Sequence, residues 1–100
     1  MKLTGVSAPV PTPFFDDGTI DVEGWRGNLR IWSSSPLDGI VICGSNGELP
    51  FMKLHERAML TKIAAEECKG RLSLMTGAHF PSTSETIECS CEAAKAGAQN

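Results

Sequence analysis

The sequence predicts an α/β protein whose parallel sheet is assembled from strand–helix units repeated along the chain. Three observations carry that reading. Short apolar runs centre near residues 8, 41 and 74, each is followed by a segment with helical spacing of apolar residues, and turn-forming residues separate the two. Strand, helix, strand, helix in that order means parallel strands joined by right-handed crossovers. Periodicity alone does not distinguish a closed barrel from an open, doubly wound sheet.

The first strand spans about residues 6–10 and runs into Pro11-Thr12-Pro13-Phe14, followed by a turn at Asp16-Asp17-Gly18. Asp21 is placed to N-cap a helix over about 21–33, whose inward stripe is Val22, Trp25, Leu29 and Trp32. Ser33 to Pro36 ends it. The second strand, about 39–43, reads Gly39-Ile40-Val41-Ile42-Cys43 and is apolar after the glycine, as a parallel strand covered on both faces should be. It stops at Gly44-Ser45-Asn46-Gly47-Glu48. A helix over about 53–69 turns Met59, Leu60, Ile63 and Ala64 inward, with Gly70 in the C′ position. Glu56, three residues after Lys53, is expected to reach back to an orphan N–H at the helix start. The third strand, about 72–76, ends at Gly77. Ser82 and Glu85 form a capping box for a helix over about 83–96 that buries Ile87, Cys91, Ala94 and Ala98.

Composition is that of an ordinary globular chain: 100 residues, 41% apolar, 21% charged, net charge −3. The nine basic residues are scattered, so no cationic stripe is available for nucleic acid. No apolar run reaches the roughly 18 residues a membrane helix needs. Met1-Lys2-Leu3-Thr4 leads into no apolar segment of the secretory kind. A cytoplasmic location is expected, and a mitochondrial one for a longer precursor stays compatible with it. Cys43, Cys68, Cys89 and Cys91 show no C-x-x-C spacing, so free thiols, buried or half-buried, are expected and no metal site.

The loop after the second strand is the most informative segment. Gly44-Ser45-Asn46-Gly47-Glu48 resembles the G-[ST]-[TN]-G-E motif of the dihydrodipicolinate synthase and N-acetylneuraminate lyase family, the pyruvate-type class I aldolases. Four further stretches agree in register: Gly5 with Thr12-Pro13-Phe14, Asp17-Gly18-x-Ile20-Asp21, Glu56-Arg57, and Ala96-Gly97-Ala98. The resemblance covers essentially the whole chain. It implies a (β/α)8 TIM barrel, of which these residues carry roughly the first three units. A closed barrel takes about 250 residues, so residues 1–100 are not expected to fold stably alone. Ser45-Asn46 in place of two threonines, then Leu49-Pro50-Phe51, together with Pro9-Val10, look most like 4-hydroxy-2-oxoglutarate aldolase and 2-keto-3-deoxy sugar acid aldolases. The positions that bind lysine as an inhibitor in bacterial synthases correspond to Leu54, Arg57 and Pro81, which do not suit that task.

The resemblance further implies a mechanism in which a lysine forms a Schiff base with the 2-oxo group of pyruvate or a related acid. The protonated imine then serves as the electron sink for making or breaking a C–C bond. No cofactor is called for. The substrate's carboxylate needs fixed donors beside the lysine. Glycines allow close backbone approach, and successive N–H groups after a strand form an anion-binding concavity. By resemblance Ser45 binds that carboxylate and relays a proton, and Asn46 and Gly47 complete the grip. Thr12, Glu48 and His79 are further candidates at the same end of the sheet. Their plainer roles are packing for Thr12, holding backbone donors for Glu48, and solvation for His79. The family's Schiff-base lysine and relay tyrosine belong to later strands. Lys53, Lys62, Lys69 and Lys95 fall on solvent faces of helices and do not fill that role, and the chain has no tyrosine.

The expected partner is a small 2-oxo acid such as pyruvate, within a homotetramer. The alternatives are a dihydrodipicolinate synthase condensing pyruvate with aspartate semialdehyde, and a non-catalytic barrel that binds an oxo acid. An open α/β domain binding a phosphorylated ligand at Gly44 ranks last, because the loop has neither phosphate-loop spacing nor a basic residue.

Overall fold

The computed structural model describes residues 4–100. Met1-Lys2-Leu3, on which the expectation of no secretory signal partly rests, lies outside the described residues. Three parallel strands, β1 (Ser7–Pro9), β2 (Gly39–Ile42) and β3 (Ser73–Thr76), alternate with three helices, α1 (Val22–Ser33), α2 (Leu54–Cys68) and α3 (Thr83–Ala96). The strands lie in sequence order, with Ala8 opposite Ile40 and Ile40 opposite Leu74. Right-handed crossovers between neighbours in that order put every helix on the same face of the sheet. A singly wound barrel needs this arrangement.

β1 is shorter than the apolar run suggested. The N–H of Val6 is taken by Asp38 Oδ2 at 2.8 Å instead of by the ladder, although Val10 still donates to Val41 O at 3.1 Å. Between β1 and α1 the chain makes a small hairpin, with Phe15 N–H on Thr19 O at 2.8 Å and Phe14 bridging Ile20. Asp21 then caps α1 by accepting from Gly24 N–H at 2.9 Å.

The core lies between the sheet and its helices. Ile40, Ile42 and Leu74 on the sheet meet Trp25 and Leu29 of α1 and Leu60, Ile63 and Ala64 of α2, all buried. Trp25 is fully buried, donates its indole N–H to Leu60 O at 3.1 Å, and meets Trp32 edge-on at 5.8 Å. Satisfying the indole donor is what lets so large a ring be buried without penalty. On the surface Arg26 and Arg30 of α1 reach Glu67 of α2 at 3.0 and 3.1 Å, and those hydrogen bonds hold the Glu67 carboxyl below its ordinary range. The opposite face of the sheet, including Val41 and Met75, is only half-buried, so β2 is covered on one face here and not on two.

α2 ends one residue before its expected close, because Lys69 itself turns left-handed (φ 48°) ahead of Gly70 (φ 79°). Its start is as expected: Glu56 accepts from Lys53 N–H at 2.9 Å. α3 begins with Glu85 N–H on Ser82 Oγ at 3.2 Å, while the Ser82 hydroxyl donates to the Glu85 carboxylate at 2.8 Å. The buried face of α3 is a correction. Cys89 and Ala93 are buried, whereas Ile87 is 59% exposed and Cys91 and Ala94 are exposed. Small residues decide this. A methyl on Gly97 would stand 2.8 Å from the Ala65 methyl carbon, so α3 closes on α2 through its smallest side chains. The larger Ile87 stripe is left facing outward. Three of the four cysteines are buried as free thiols and Cys91 is not.

Beyond α3 the chain returns to the sheet. Gln99 N–H donates to Leu74 O at 2.9 Å and Thr76 N–H to Asn100 O at 3.0 Å, along the free edge of β3. Among the described residues no helix is long and apolar enough to cross a membrane.

Candidate active site

The C-terminal ends of all three strands meet around the segment Gly44–Glu48. Two left-handed residues bracket it, Cys43 at φ 53° and Glu48 at φ 62°. For residues with a side chain that conformation costs of order 1–3 kcal/mol and persists only where the surroundings impose it. Between them Ser45–Gly47 form one 3₁₀ turn, and Leu49–Phe51 form a second. The Gly44 carbonyl accepts from both Gly47 N–H at 3.0 Å and Leu49 N–H at 3.1 Å, which closes the loop on itself. Ser45 and Asn46 are exposed and Gly47 is buried. Among the described residues, the N–H groups and side chains of Ser45 and Asn46 make no hydrogen bond, leaving four donor groups open at the mouth of the strands.

Two neighbours fix this segment. Thr12, just past β1 and buried, donates its hydroxyl to Gly47 O at 3.0 Å. A Cβ on Gly47 would sit 3.2 Å from Val10 O and 3.4 Å from Thr12 Oγ1, so a larger residue would push the turn a few tenths of an ångström off β1. Gly77, just past β3, donates its N–H to Ile42 O at 2.9 Å. A Cβ there would run into the Cys43 carbonyl oxygen and lie 3.0 Å from Leu49 Cδ1. Gly77 is present for room, since its φ is not left-handed.

Sequence reasoning named Arg57 only in the Glu56-Arg57 match and as a position unsuited to lysine, and missed its part in the site. Arg57 is 2% exposed on the second turn of α2. Its guanidinium donates to three carbonyls: Met52 O at 3.0 Å, His79 O at 2.7 Å and Leu49 O at 2.8 Å. The Phe80 ring lies against it, 4.0 Å from Cζ to centroid. No carboxylate pairs with it among the described residues. A hydroxyl relay backs it: Thr61 donates to Arg57 O at 2.8 Å and therefore accepts from Thr76 at 2.8 Å. The signal was in the spacing. Arg57 stands at i with Leu60, Thr61, Ala64 and Cys68, in line with the buried stripe of α2, so a charged residue occupies a core position.

The other candidates fall as follows. Glu48 is exposed, and its carboxylate holds none of the backbone donors it was expected to hold, because the left-handed turn carries it into solvent. His79 is exposed; it joins the site through its carbonyl on Arg57. With Leu49, Pro50, Arg57, Phe80 and Pro81 it lines a cavity of about 220 Å³. Lys53, Lys62, Lys69 and Lys95 are all exposed on or beside helices, away from the loop. Cys43 is buried against the loop, and burial pushes its thiol up to about 12, with the Arg57 charge opposing the rise. Among the described residues no three His, Cys, Asp or Glu side chains converge as a metal site requires.

Comparison with known proteins gives this geometry a context. Residues 2–100 match the dihydrodipicolinate synthetase family. The chain belongs to that family. It is 36% identical over 96 residues to the 4-hydroxy-tetrahydrodipicolinate synthase of Polynucleobacter asymbioticus, covering 96% of this chain and 31% of that protein. The crystal structure of dihydrodipicolinate synthase from Aquifex aeolicus superposes with a TM-score of 0.89 at 25% identity, over 96% of this chain and 32% of that one. The chloride-inhibited dihydrodipicolinate synthase from Acinetobacter baumannii, solved with pyruvate, gives 0.88 at 26% identity, over 97% and 33%. The fold is therefore an α/β parallel sheet matching about a third of these barrels. The chain spans about a third of the length of the curated relatives it matches.

Proposed function

We propose that these residues are the first three strand–helix units of a barrel enzyme, a Schiff-base-forming lyase that makes or cleaves a C–C bond of pyruvate or another 2-oxo acid. The supporting observation is the pair Ser45 and Asn46, exposed at the strand ends with their donors uncommitted, in a family with a member solved bound to pyruvate. Ser45, Asn46 and Gly47 grip the substrate carboxylate, and Ser45 passes a proton during the addition and loss of water at the imine carbon. Thr12 holds the turn from beneath. The lysine that forms the imine comes from sequence beyond these strands.

Two finer readings differ in the second substrate. Relatives at 33–36% identity carry the name 4-hydroxy-tetrahydrodipicolinate synthase, which favours condensation of pyruvate with aspartate semialdehyde. The run Ser45-Asn46-Gly47-Glu48-Leu49-Pro50-Phe51 favours cleavage of 4-hydroxy-2-oxoglutarate or a 2-keto-3-deoxy sugar acid. The test uses the full-length protein. Borohydride with pyruvate should leave a reduced covalent adduct, seen as a mass increase. Both reactions are then assayed side by side, with N-acetylneuraminate as a further substrate. Pyruvate binding without an adduct would replace the enzyme by an oxo-acid-binding barrel, and tighter binding of a nucleotide than of pyruvate would discard both.

A further inference from the structure

Burying a charged group without a counter-ion is costly, and such a group is retained only where its ligands are fixed and specific. Arg57 meets that description, with three carbonyls, an aromatic face and 2% exposure. Its ligands come from two loops. Leu49 and Met52 belong to the turn that follows Gly44–Glu48, and His79 and Phe80 belong to the segment after β3. Leu49 is shared: its carbonyl receives Arg57 Nη2 at 2.8 Å while its N–H closes on Gly44 O at 3.1 Å. One rigid group thus ties the loops after β2 and β3 together, one residue away from the segment that presents Ser45 and Asn46.

We propose that Arg57 is a positioning residue for the oxo-acid site, setting the distance between the Ser45–Gly47 turn and the loop after β3 on which the grip of the substrate carboxylate depends. This rests on the reading of Ser45 and Asn46 given above. A planar fork with several fixed donors can span three carbonyls, which the single ammonium of lysine cannot. Keeping the charge is therefore not enough to keep the function.

The experiment compares full-length wild type with Arg57→Lys, Ser45→Ala and the double variant. Wild type is first trapped with pyruvate and borohydride; an absent adduct overturns the functional reading itself, before any variant is read. With the adduct present, Arg57→Lys should raise KM for pyruvate by about 10–100-fold, the effect of misplacing a binding group by about an ångström, with a smaller change in kcat. In the Ser45→Ala background the same substitution should raise KM far less, because the group it positions is gone. An unchanged KM in Arg57→Lys overturns the proposal and leaves the functional reading standing, even if the melting temperature falls. Equal effects in both backgrounds overturn it too. Should Arg57→Lys be recovered unfolded, Phe80→Leu is read in its place. That variant removes the ring from the guanidinium but leaves the carbonyl bonds; a KM rise of roughly 3-fold or more supports the proposal, and none overturns it.

Discussion

Replacing Gly77 by alanine tests whether the approach of β3's end to the candidate site is as tight as the structure requires. The added carbon would lie 3.1 Å from Cys43 C and 3.0 Å from Leu49 Cδ1, with the Cys43 oxygen closer still. Carbon atoms settle at about 3.5–4.0 Å, and the nearer Cys43 oxygen sets the larger demand, so the two backbones must part by roughly an ångström or more. Cys43 cannot yield easily, since it is buried and already left-handed at φ 53°. Overpacking of this kind costs about 1–3 kcal/mol. Stretching the Gly77 N–H bond to Ile42 O, 2.9 Å long, adds up to about 1 kcal/mol. The sum, about 1–4 kcal/mol, corresponds to a fall of roughly 2–16 °C in melting temperature for a domain of a few hundred residues. The same displacement moves Gly44–Gly47, so kcat/KM for pyruvate should fall by about 10–100-fold. Differential scanning calorimetry and steady-state kinetics on the full-length variant read both effects. A melting temperature within a degree of wild type, with unaltered kinetics, would refute the packing at Cys43 and Gly77.

Thr12→Val keeps shape but leaves the buried Gly47 carbonyl without the donor it has at 3.0 Å; stability should drop by about 1–3 kcal/mol in urea titrations and KM should rise, whereas Thr12→Ser should retain both. Burial moves the Cys43 thiol from 9.0 to about 12, so the unfolded chain loses this proton first. The stability of wild type relative to Cys43→Ala is then full below pH 9 and shrinks as pH rises toward 12, by at most about 1.4 kcal/mol per pH unit; a constant difference across that interval would contradict the burial. Millimolar L-lysine should leave the pyruvate reaction unaffected, because Arg57, which the family resemblance matches to an inhibitor contact, is committed to three carbonyls.

How far the sequence disclosed this structure depends on which forces act locally. The strands and the first two helices were legible because β-branched runs, Asp21 as a cap and the Trp25–Leu29 stripe all report on near neighbours. α3 was not, because its apolar residues lie on two faces. The contact between Gly97 and Ala65 chooses the smaller face, and that contact lies 32 positions apart in the chain. At the site, the glycine spacing announced a tight loop at a strand end, and Ser45 and Asn46 emerged from resemblance to a family. Glu48 was misread because a left-handed backbone redirects its side chain, a property that no residue type announces except glycine. Arg57 was visible as half of the Glu56-Arg57 match and in its spacing on the buried stripe of α2, but its role was not read, since which carbonyls it meets is not written in the sequence.

Arg57 sets a positive charge beside the Gly44–Gly47 turn, and no carboxylate among the described residues pairs with it. Dissolved salt screens the field of such a charge over roughly 8–10 Å in open solvent and much less at a buried group, so an anionic ligand approaching the strand ends would be drawn in more strongly at low ionic strength.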